Sequence, residues 1–322
     1  MSDSNVRILT KTEYPLWDEL ITKSPQGTIF HTSSWITKNA ELSKKKERIY
    51  GYFINENLVA GCPIYSAKKY HFLNTGISNL PMTPYGGFVL SSPQNSIRKL
   101  EQTQNMIISE LTTELIKDFI YIKIINSPNF FDIRQFIWTG WKSSIYYAYF
   151  LSLNENFEKK FSRNIIRFIQ KAKKLGIRVE KEYNPDLYYE LYKKTYDRKS
   201  LESPFSKNML IEMMDMIISK NIGEMWIAKT PNGEMAAADL VIWDTHFAHR
   251  WSAVSDAQFN ETGAVSLLLN EVFHDLKYRG FHEINLFSAN TPHLTNFITA
   301  FNPTLKPYYG IEINRLKVHK SK

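Results

Sequence analysis

Asp239 stands in the run Ala236-Ala-Ala-Asp-Leu-Val-Ile-Trp243, where it is the only ionisable side chain. A carboxylate in so apolar a strand pattern is costly unless it is paired or put to use. Two readings stay open: a general base, or one half of a buried ion pair. His249 is the second candidate base. His246 and His249 lie three apart in a strand-like stretch, His246 to Ala253, so they face opposite ways and cannot share a metal ion. The loop that follows, Gln258-Phe-Asn-Glu-Thr-Gly263, leads into a helix beginning at Ala264. Amides at a helix amino terminus form a seat for an anion such as a diphosphate. The same residues also suit an ordinary surface loop in which Thr262 or Glu261 caps the helix.

A third feature is charge. Between Phe157 and Lys181 stand Lys159, Lys160, Arg163, Arg167, Lys171, Lys173, Lys174, Arg178 and Lys181 against Glu158 and Glu180, a net +7 of the chain's +8. Such a patch points to a phosphate-bearing partner: a nucleotide, an RNA or an anionic membrane surface. A plainly solvated helix face is the competing reading, and the arginines weigh against it because their forks match phosphate.

Several chemistries lack their signatures. There is no G-x-S-x-G elbow, no G-x-x-x-x-G-K-[ST] loop and no G-x-G-x-x-G turn, which removes support for serine hydrolases, P-loop enzymes and Rossmann dehydrogenases. The single cysteine, Cys62, rules out an internal disulfide and a cysteine-built zinc site. With no amino-terminal signal pattern, the expected setting is cytoplasmic. A chain of 322 residues with 43% hydrophobic and 22% charged residues has the make-up of a folded globular protein of one large or two ordinary domains. Its longest uncharged stretch, between Lys69 and Arg98, is broken by Pro81, Pro84, Gly86, Gly87 and Pro93, which reads as loop rather than membrane span.

The elements that must carry these residues occur twice. Hairpins read over Arg48 to Tyr65, turning at Asn55-Glu-Asn57, and over Glu224 to Trp243, turning at Pro231-Asn-Gly233. Helical stretches precede each hairpin, Ser33 to Lys44 and Ser206 to Lys220, and longer helices follow, Ile97 to Asp118 and Ala264 to Arg279. Strands, short amphipathic segments and aromatic strands complete each half, at an offset of roughly 160 to 175 residues. The expected fold is α/β, with one domain over 1–152 and a second over 153–322, the last strand having the option of returning to the first domain. A basic helix, Phe157 to Leu175, joins them. Its core stripe is Phe161, Ile165, Phe168, Ala172 and Leu175, and its basic stripe is Lys160, Arg163, Arg167, Lys171 and Lys174. The long loop Leu73 to Ser92 carries Tyr85, which could stack on a base or sugar or plug the loop onto its own domain.

Longer stretches carry a family resemblance. Ser252-Ala-Val-Ser-Asp256, Gly263-Ala-Val-Ser-Leu-Leu-Leu-Asn-Glu271, the segment Tyr278 to Pro292, Phe297-Ile-Thr-Ala-Phe-Asn-Pro303 and Pro307-Tyr-Tyr-Gly-Ile311 resemble the FemAB-like branch of the GNAT acyltransferases. Upstream, Phe30-His-Thr-Ser-Ser-Trp35, Pro84-Tyr-Gly-Gly87, the basic segment Arg163 to Gly176 and Tyr196-Asp-Arg198 agree, so the resemblance spans almost the whole chain. It implies two tandem GNAT-like domains, each a mixed twisted sheet flanked by helices. It also implies transfer of an acyl or aminoacyl group to a primary amine of a cell-envelope or glycan precursor.

By resemblance, Gln258, Asn260, Thr262, Gly263 and Ala264 stand where GNAT enzymes seat the diphosphate of coenzyme A, although Glu261 replaces a glycine of the pattern Q/R-x-x-G-x-G/A. Arg198 falls where the peptidoglycan-bridge enzymes grip a sugar nucleotide's diphosphate; a surface pairing with Asp197 or Glu202 is its alternative. His249 and Trp251, two apart and so on one face, match a strand lining the acceptor tunnel. Lys38, near Trp35, is the candidate basic residue for the nucleotide, and Trp35, Tyr85 and Asn290 complete the implied acceptor set. Ile298 replaces the lysine of the family's Phe-Lys pair, and Asn285 stands where an aspartate is common. The implied donor is acyl-CoA, acetyl-CoA first, with aminoacyl-tRNA as the alternative and no metal. The implied acceptor is a small or nucleotide-linked amine, with a lipid amine at an anionic membrane surface also open; DNA is not expected. A degenerate member that binds nucleotide or RNA without catalysis is the competing reading.

Overall fold

The computed structural model describes residues 4–69, 73–91, 97–198, 200, 202–203, 205–287, 289–290 and 292–318. In chain order the elements are β1 (Ser4–Ile8), α1 (Tyr14–Lys23), α2 (Ser33–Leu42), β2 (Lys46–Ile54), β3 (Asn57–Lys69), β4 (Leu73–Ile77), β5 (Val89–Leu90), α3 (Ile97–Asp118), β6 (Tyr121–Ile125), α4 (Arg134–Trp138) and β7 (Lys142–Ser152). There follow α5 (Arg163–Lys174), β8 (Arg178–Lys181), α6 (Pro185–Asp197), α7 (Lys207–Ser219), β9 (Gly223–Lys229), β10 (Met235–Trp243), β11 (Ala248–Ser255), α8 (Ala264–Tyr278), β12 (Glu283–Phe287), α9 (Pro292–Thr299) and β13 (Thr304–Asn314). Two compact units result, one of residues 1–146 with 307–322, the other of 147–306. The fold is α/β, each unit a mixed sheet flanked by helices, as expected.

In the first unit the strand order is β1-β2-β3-β4-β6-β13, parallel only at β4–β6. The β2–β3 turn forms because Asn55 and Glu56 both adopt positive φ, 46° and 64°, as a two-residue hairpin requires. Alternation then splits these strands between two cores. Tyr50, Tyr52, Cys62 and Ile64 meet α3 and α4 through Leu111, Leu115 and Phe136, while Ile49, Phe53 and Tyr65 meet α1 and α2 through Trp17, Leu20 and Ile36. The segment read as a long loop from Leu73 in fact opens with β4 and ends in β5, because Leu73–Ile77 pairs along β3.

The second unit orders its strands β7-β12-β11-β10-β9-β8, parallel only at β11–β12. Ser162 caps α5 by accepting from the Ile165 amide, and Ser206 caps α7 through the Met209 amide. Helix α5 therefore begins at Arg163, after a short 3-10 turn over Phe157–Lys160, rather than at Phe157. Its inner stripe, Phe161, Ile165 and Ala172, joins the core with Leu267 and Leu268 of α8 and Ile298 of α9. Leu175 does not: the helix ends at Lys174 and leaves it exposed. No described helix is long and apolar enough to cross a membrane.

Candidate active site

Strand β11 is irregular in two ways that matter. Opposite β10, Leu240 pairs with Ser252 and Val241 with Arg250, so Trp251 is a one-residue bulge. The bulge breaks the alternation that would set His249 and Trp251 on one face, and His249 is buried while Trp251 is partly exposed. On its other edge β11 meets β12 in only two pairs, Ala248 with Ile284 and His249 with Asn285. Beyond His249 the β12-facing edge of β11 has no strand partner among the described residues. Strand β12 instead shifts register against β7 between Asn285 and Phe287. Phe287 sits at φ 50°, a strained conformation for a bulky residue, stabilised where its amide donates to Asn285 Oδ1 at 2.8 Å. Two strands part here.

His249 occupies the last paired position. Its Nε2 lies 3.2 Å from Asp244 Oδ2, and its ring stacks on Phe287 with centroids 5.8 Å apart. Asp244 Oδ1 accepts the amides of His246 and Phe247, both at 2.8 Å. Burial pushes the Asp244 carboxyl up, but the hydrogen bond and charge of His249 and those two amides outweigh it and hold it below its ordinary value. A carboxylate fixed by amides and aimed at an imidazole orients that ring as the acid partner of a base does. His246 lies in the turn before β11, not on a strand. Among the described residues no three His, Cys, Asp or Glu are placed to hold a metal ion.

Asp239 is 1% exposed and gripped on both oxygens: Arg250 donates from Nε to Oδ2 at 2.6 Å and from Nη2 to Oδ1 at 2.9 Å. Burial works against the guanidinium, and the Asp239 charge and hydrogen bonds override it. A buried carboxylate held on both oxygens by one guanidinium is half of an ion pair, and the geometry therefore favours the pairing reading over the base reading. Beside the pair, the buried Tyr188 of α6 donates its hydroxyl to Ser252 Oγ at 2.7 Å.

Residues 257–262 wind into a 3-10 turn that ends at Gly263, φ 83°. A Cβ at Gly263 would stand 2.1 Å from the Phe168 carbonyl oxygen, so its bareness lets α5 pack on the loop. Thr262 Oγ1 meets the Ala264 amide at 3.2 Å, which is the capping expected of an ordinary loop, and Ala264 is buried. The next two amides, Val265 and Ser266, have no acceptor among the described residues. Gln258 and Asn260 are exposed.

The remaining expected residues divide. Trp35 and Tyr85 are fully buried in the first unit: Trp35 donates to Thr83 Oγ1 at 2.8 Å, and Tyr85 packs edge-on against Phe30 and Tyr308. Tyr85 thus plugs its loop onto its own unit, and neither ring is presented to an acceptor. Lys38 is partly exposed with Nζ 3.7 Å from Glu41. In the second unit, Asn290 spends its side-chain amide on the backbone of Tyr147, accepting from N at 2.9 Å and donating to O at 2.8 Å, a bracing rather than a binding role. Arg198 is exposed and forms no ion pair with Asp197 or Glu202 among the described residues. Ile298 is core, packed where the family pattern has a lysine. Asp244 and Arg250 went unmarked in the sequence. Asp244 had a readable signal, an Asx turn into His246, whereas Arg250 is brought to Asp239 by the bulge.

Residues 159–293 match the family described as Acetyltransferase (GNAT) domain. No curated protein matches the sequence. Among solved structures, FemX superposes with a TM-score of 0.75 at 10% identity, covering 98% of this chain and 99% of that one. The C-terminal domain of an Agrobacterium fabrum protein assigned as a lysylphosphatidylglycerol synthetase gives 0.60 at 11% identity, over 94% and 92%. The tandem GNAT protein from the clavulanic acid biosynthesis pathway gives 0.54 at 10%, over 97% and 99%. Over residues 159–293 the chain thus matches a GNAT acetyltransferase domain, and as a whole it shares the fold of FemX and of a tandem GNAT protein.

Proposed function

We propose that this protein is an N-acyltransferase that moves an acyl group from acyl-CoA, acetyl-CoA first, to a primary amine of a cell-envelope or glycan precursor such as a nucleotide-linked amino sugar. The observation that carries the reading is the parting of β11 from β12 beyond His249, on the strand whose following loop opens α8. The amides of Val265 and Ser266, with Gln258 and Asn260 on the rim, suit the donor's diphosphate. The donor supplies an activated acyl carbonyl. A backbone amide of β11 would donate to its oxygen, and His249, oriented by Asp244, takes the proton that the acceptor's ammonium must lose; the neutral amine then attacks and the C–S bond breaks, the amine's second proton passing to the departing thiolate. At pH 7 an amine of pKa about 8 needs roughly 1.4 kcal/mol to become neutral, against roughly 4.6 kcal/mol for a lysine-like amine. Orientation by the site suffices for the first; the second needs the base. Arg198, exposed and without an ion pair among the described residues, is the candidate for an acceptor phosphate, with Lys38 and Trp251 as further acceptor contacts.

A second reading, transfer from aminoacyl-tRNA, is favoured by one specific observation. Lys160, Arg163, Arg167, Lys171 and Lys174 are exposed and form no ion pair among the described residues, while α5 itself packs on the donor loop at Gly263. A name that includes lysylphosphatidylglycerol synthesis, borne by one protein of like fold, keeps a lipid acceptor in view.

Calorimetric titration with acetyl-CoA at about 0.15 M salt tests the first reading. Micromolar binding that weakens in Gln258→Glu, which places a negative charge at the diphosphate, is the expected result. No heat of binding would refute the CoA reading and leave charged tRNA, whose binding must then weaken steeply with salt.

A further inference from the structure

The first unit contains a cavity of about 480 Å³ that the proposed reaction does not use. Its walls are Ile54 and Val59 at the β2–β3 end, Leu90 of β5, Ile107 of α3, and Phe130 and Phe131 from the loop after β6. This volume lies in the range of small-ligand pockets, about 300–1,000 Å³. The polar groups among its walls are uncharged, Gln26, Gln104 and Asn129 among them, save Asp132, and no lysine or arginine contributes. Gln26 and Asn129 are moreover occupied: the Leu90 amide donates to Gln26 at 3.3 Å, and Asn129 donates to the Pro25 carbonyl at 2.7 Å. Asp132 is neutralised by Arg134 at 2.7 Å, which also reaches Glu101 of α3 at 2.6 Å. Among the described residues no cation lines the cavity to answer a phosphate or carboxylate.

Around it the surface is unusually apolar. Phe131, itself part of the wall, is 77% exposed, and Ile137 and Trp138 of α4 are 50% and 62% exposed. Arg134 ties these to the cavity, because the residue that pairs with Asp132 also lies 5.6 Å from the Trp138 ring centroid. Exposed Phe and Trp beside a pocket without cations are what a site open to hydrocarbon presents.

We propose that this cavity is a binding site for an uncharged aliphatic chain, such as the tail of a lipid, with the polar end left outside and Phe131 at the entrance. The inference concerns the first unit alone and does not depend on the acyl transfer proposed for the second.

The test is titration of the full chain with straight-chain alcohols from octanol to tetradecanol. Each two added methylenes should tighten binding by about tenfold until the cavity is full. Gln104→Trp, which fills the cavity from the surface of α3, should abolish binding, with retained circular dichroism as the folding control. Phe131→Ser, at an exposed position, should weaken it several-fold without touching the core. Flotation with neutral phosphatidylcholine vesicles separates the sources. Vesicle binding lost in Phe131→Ser assigns the chain to a bilayer lipid, and alcohol binding without vesicle binding assigns it to a soluble one; both uphold the site. No alcohol binding, or affinity that ignores chain length, overturns it.

Discussion

Replacing Arg250 by methionine keeps much of the side chain's bulk and removes the cation that grips Asp239 on both oxygens. The wild-type carboxylate is 1% exposed and receives two hydrogen bonds from a guanidinium whose side chain is 12% exposed. Breaking one side of a buried pair costs about 3–5 kcal/mol, because the surviving charge is left without compensation. Partial exposure of Arg250 lets some water in, which places the expected loss near the lower end, about 3 kcal/mol. For a unit of this size that is a fall in melting temperature of roughly 6–12 °C, at about 2–4 °C per kcal/mol. Asp239→Leu combined with Arg250→Met removes both charges and should recover most of the loss, so a double-mutant cycle by thermal denaturation should show strong coupling. The assay also separates pairing from catalysis. Were Asp239 a base, Asp239→Asn would abolish turnover at unchanged stability. A near-neutral Arg250→Met, within about 0.5 kcal/mol of the wild type, would refute the reasoning.

His249→Gln should lower kcat for a lysine-like amine by about 10²- to 10⁴-fold with little change in the KM for the acyl donor; an equal loss in donor affinity would make His249 a binding residue instead. Asp244 is held below its ordinary carboxyl value in the folded chain, so its stabilising contribution is complete above about pH 4 and disappears as pH falls through the depressed value. Acid unfolding followed by near-ultraviolet circular dichroism should therefore lose part of its pH dependence in Asp244→Asn. Gly263→Ala should destabilise by about 2 kcal/mol or more, since it forces a Cβ at positive φ onto the Phe168 carbonyl, and donor binding would be lost with the fold rather than with the seat. Arg163→Glu with Arg167→Glu should reduce binding of any RNA or polyphosphate and flatten its salt dependence by nearly one unit of log–log slope per phosphate contact removed.

Much of this was legible in the residues. Helical spacing of Arg163, Arg167, Lys171 and Lys174 marked an exposed basic face, and that face is exposed. Asp239 was marked because nothing else in its strand is ionisable. What made it structural is Arg250, and a one-residue bulge at Trp251 decides which β11 side chain reaches it. Bulges insert a residue without changing composition, so alternation arguments pass over them. Gly263 was marked by its resemblance to a diphosphate-seating loop; what the fold asks of it is close approach of the Phe168 carbonyl of the chain's own helix. Trp35 was marked by family resemblance and Tyr85 by its place in a long loop, with plugging onto its own unit as the alternative. Burial came from tertiary contacts: Thr83 for the indole, Phe30 and Tyr308 for the phenol. Asn290 illustrates the same limit, since its amide replaces a strand partner for Tyr147.

The first unit closes its sheet with β13, whose residues Gly310 to Asn314 pair with Ile125 to Tyr121 of β6. A ribosome therefore delivers the closing strand of the amino-terminal unit after the entire second unit. The uninterrupted segment 147–306 is free to fold while β6 still waits with an open edge, which reverses the usual order of vectorial folding. During that interval β6 is an unpaired edge beside a nearly finished core, the stage at which a chaperone would be most needed.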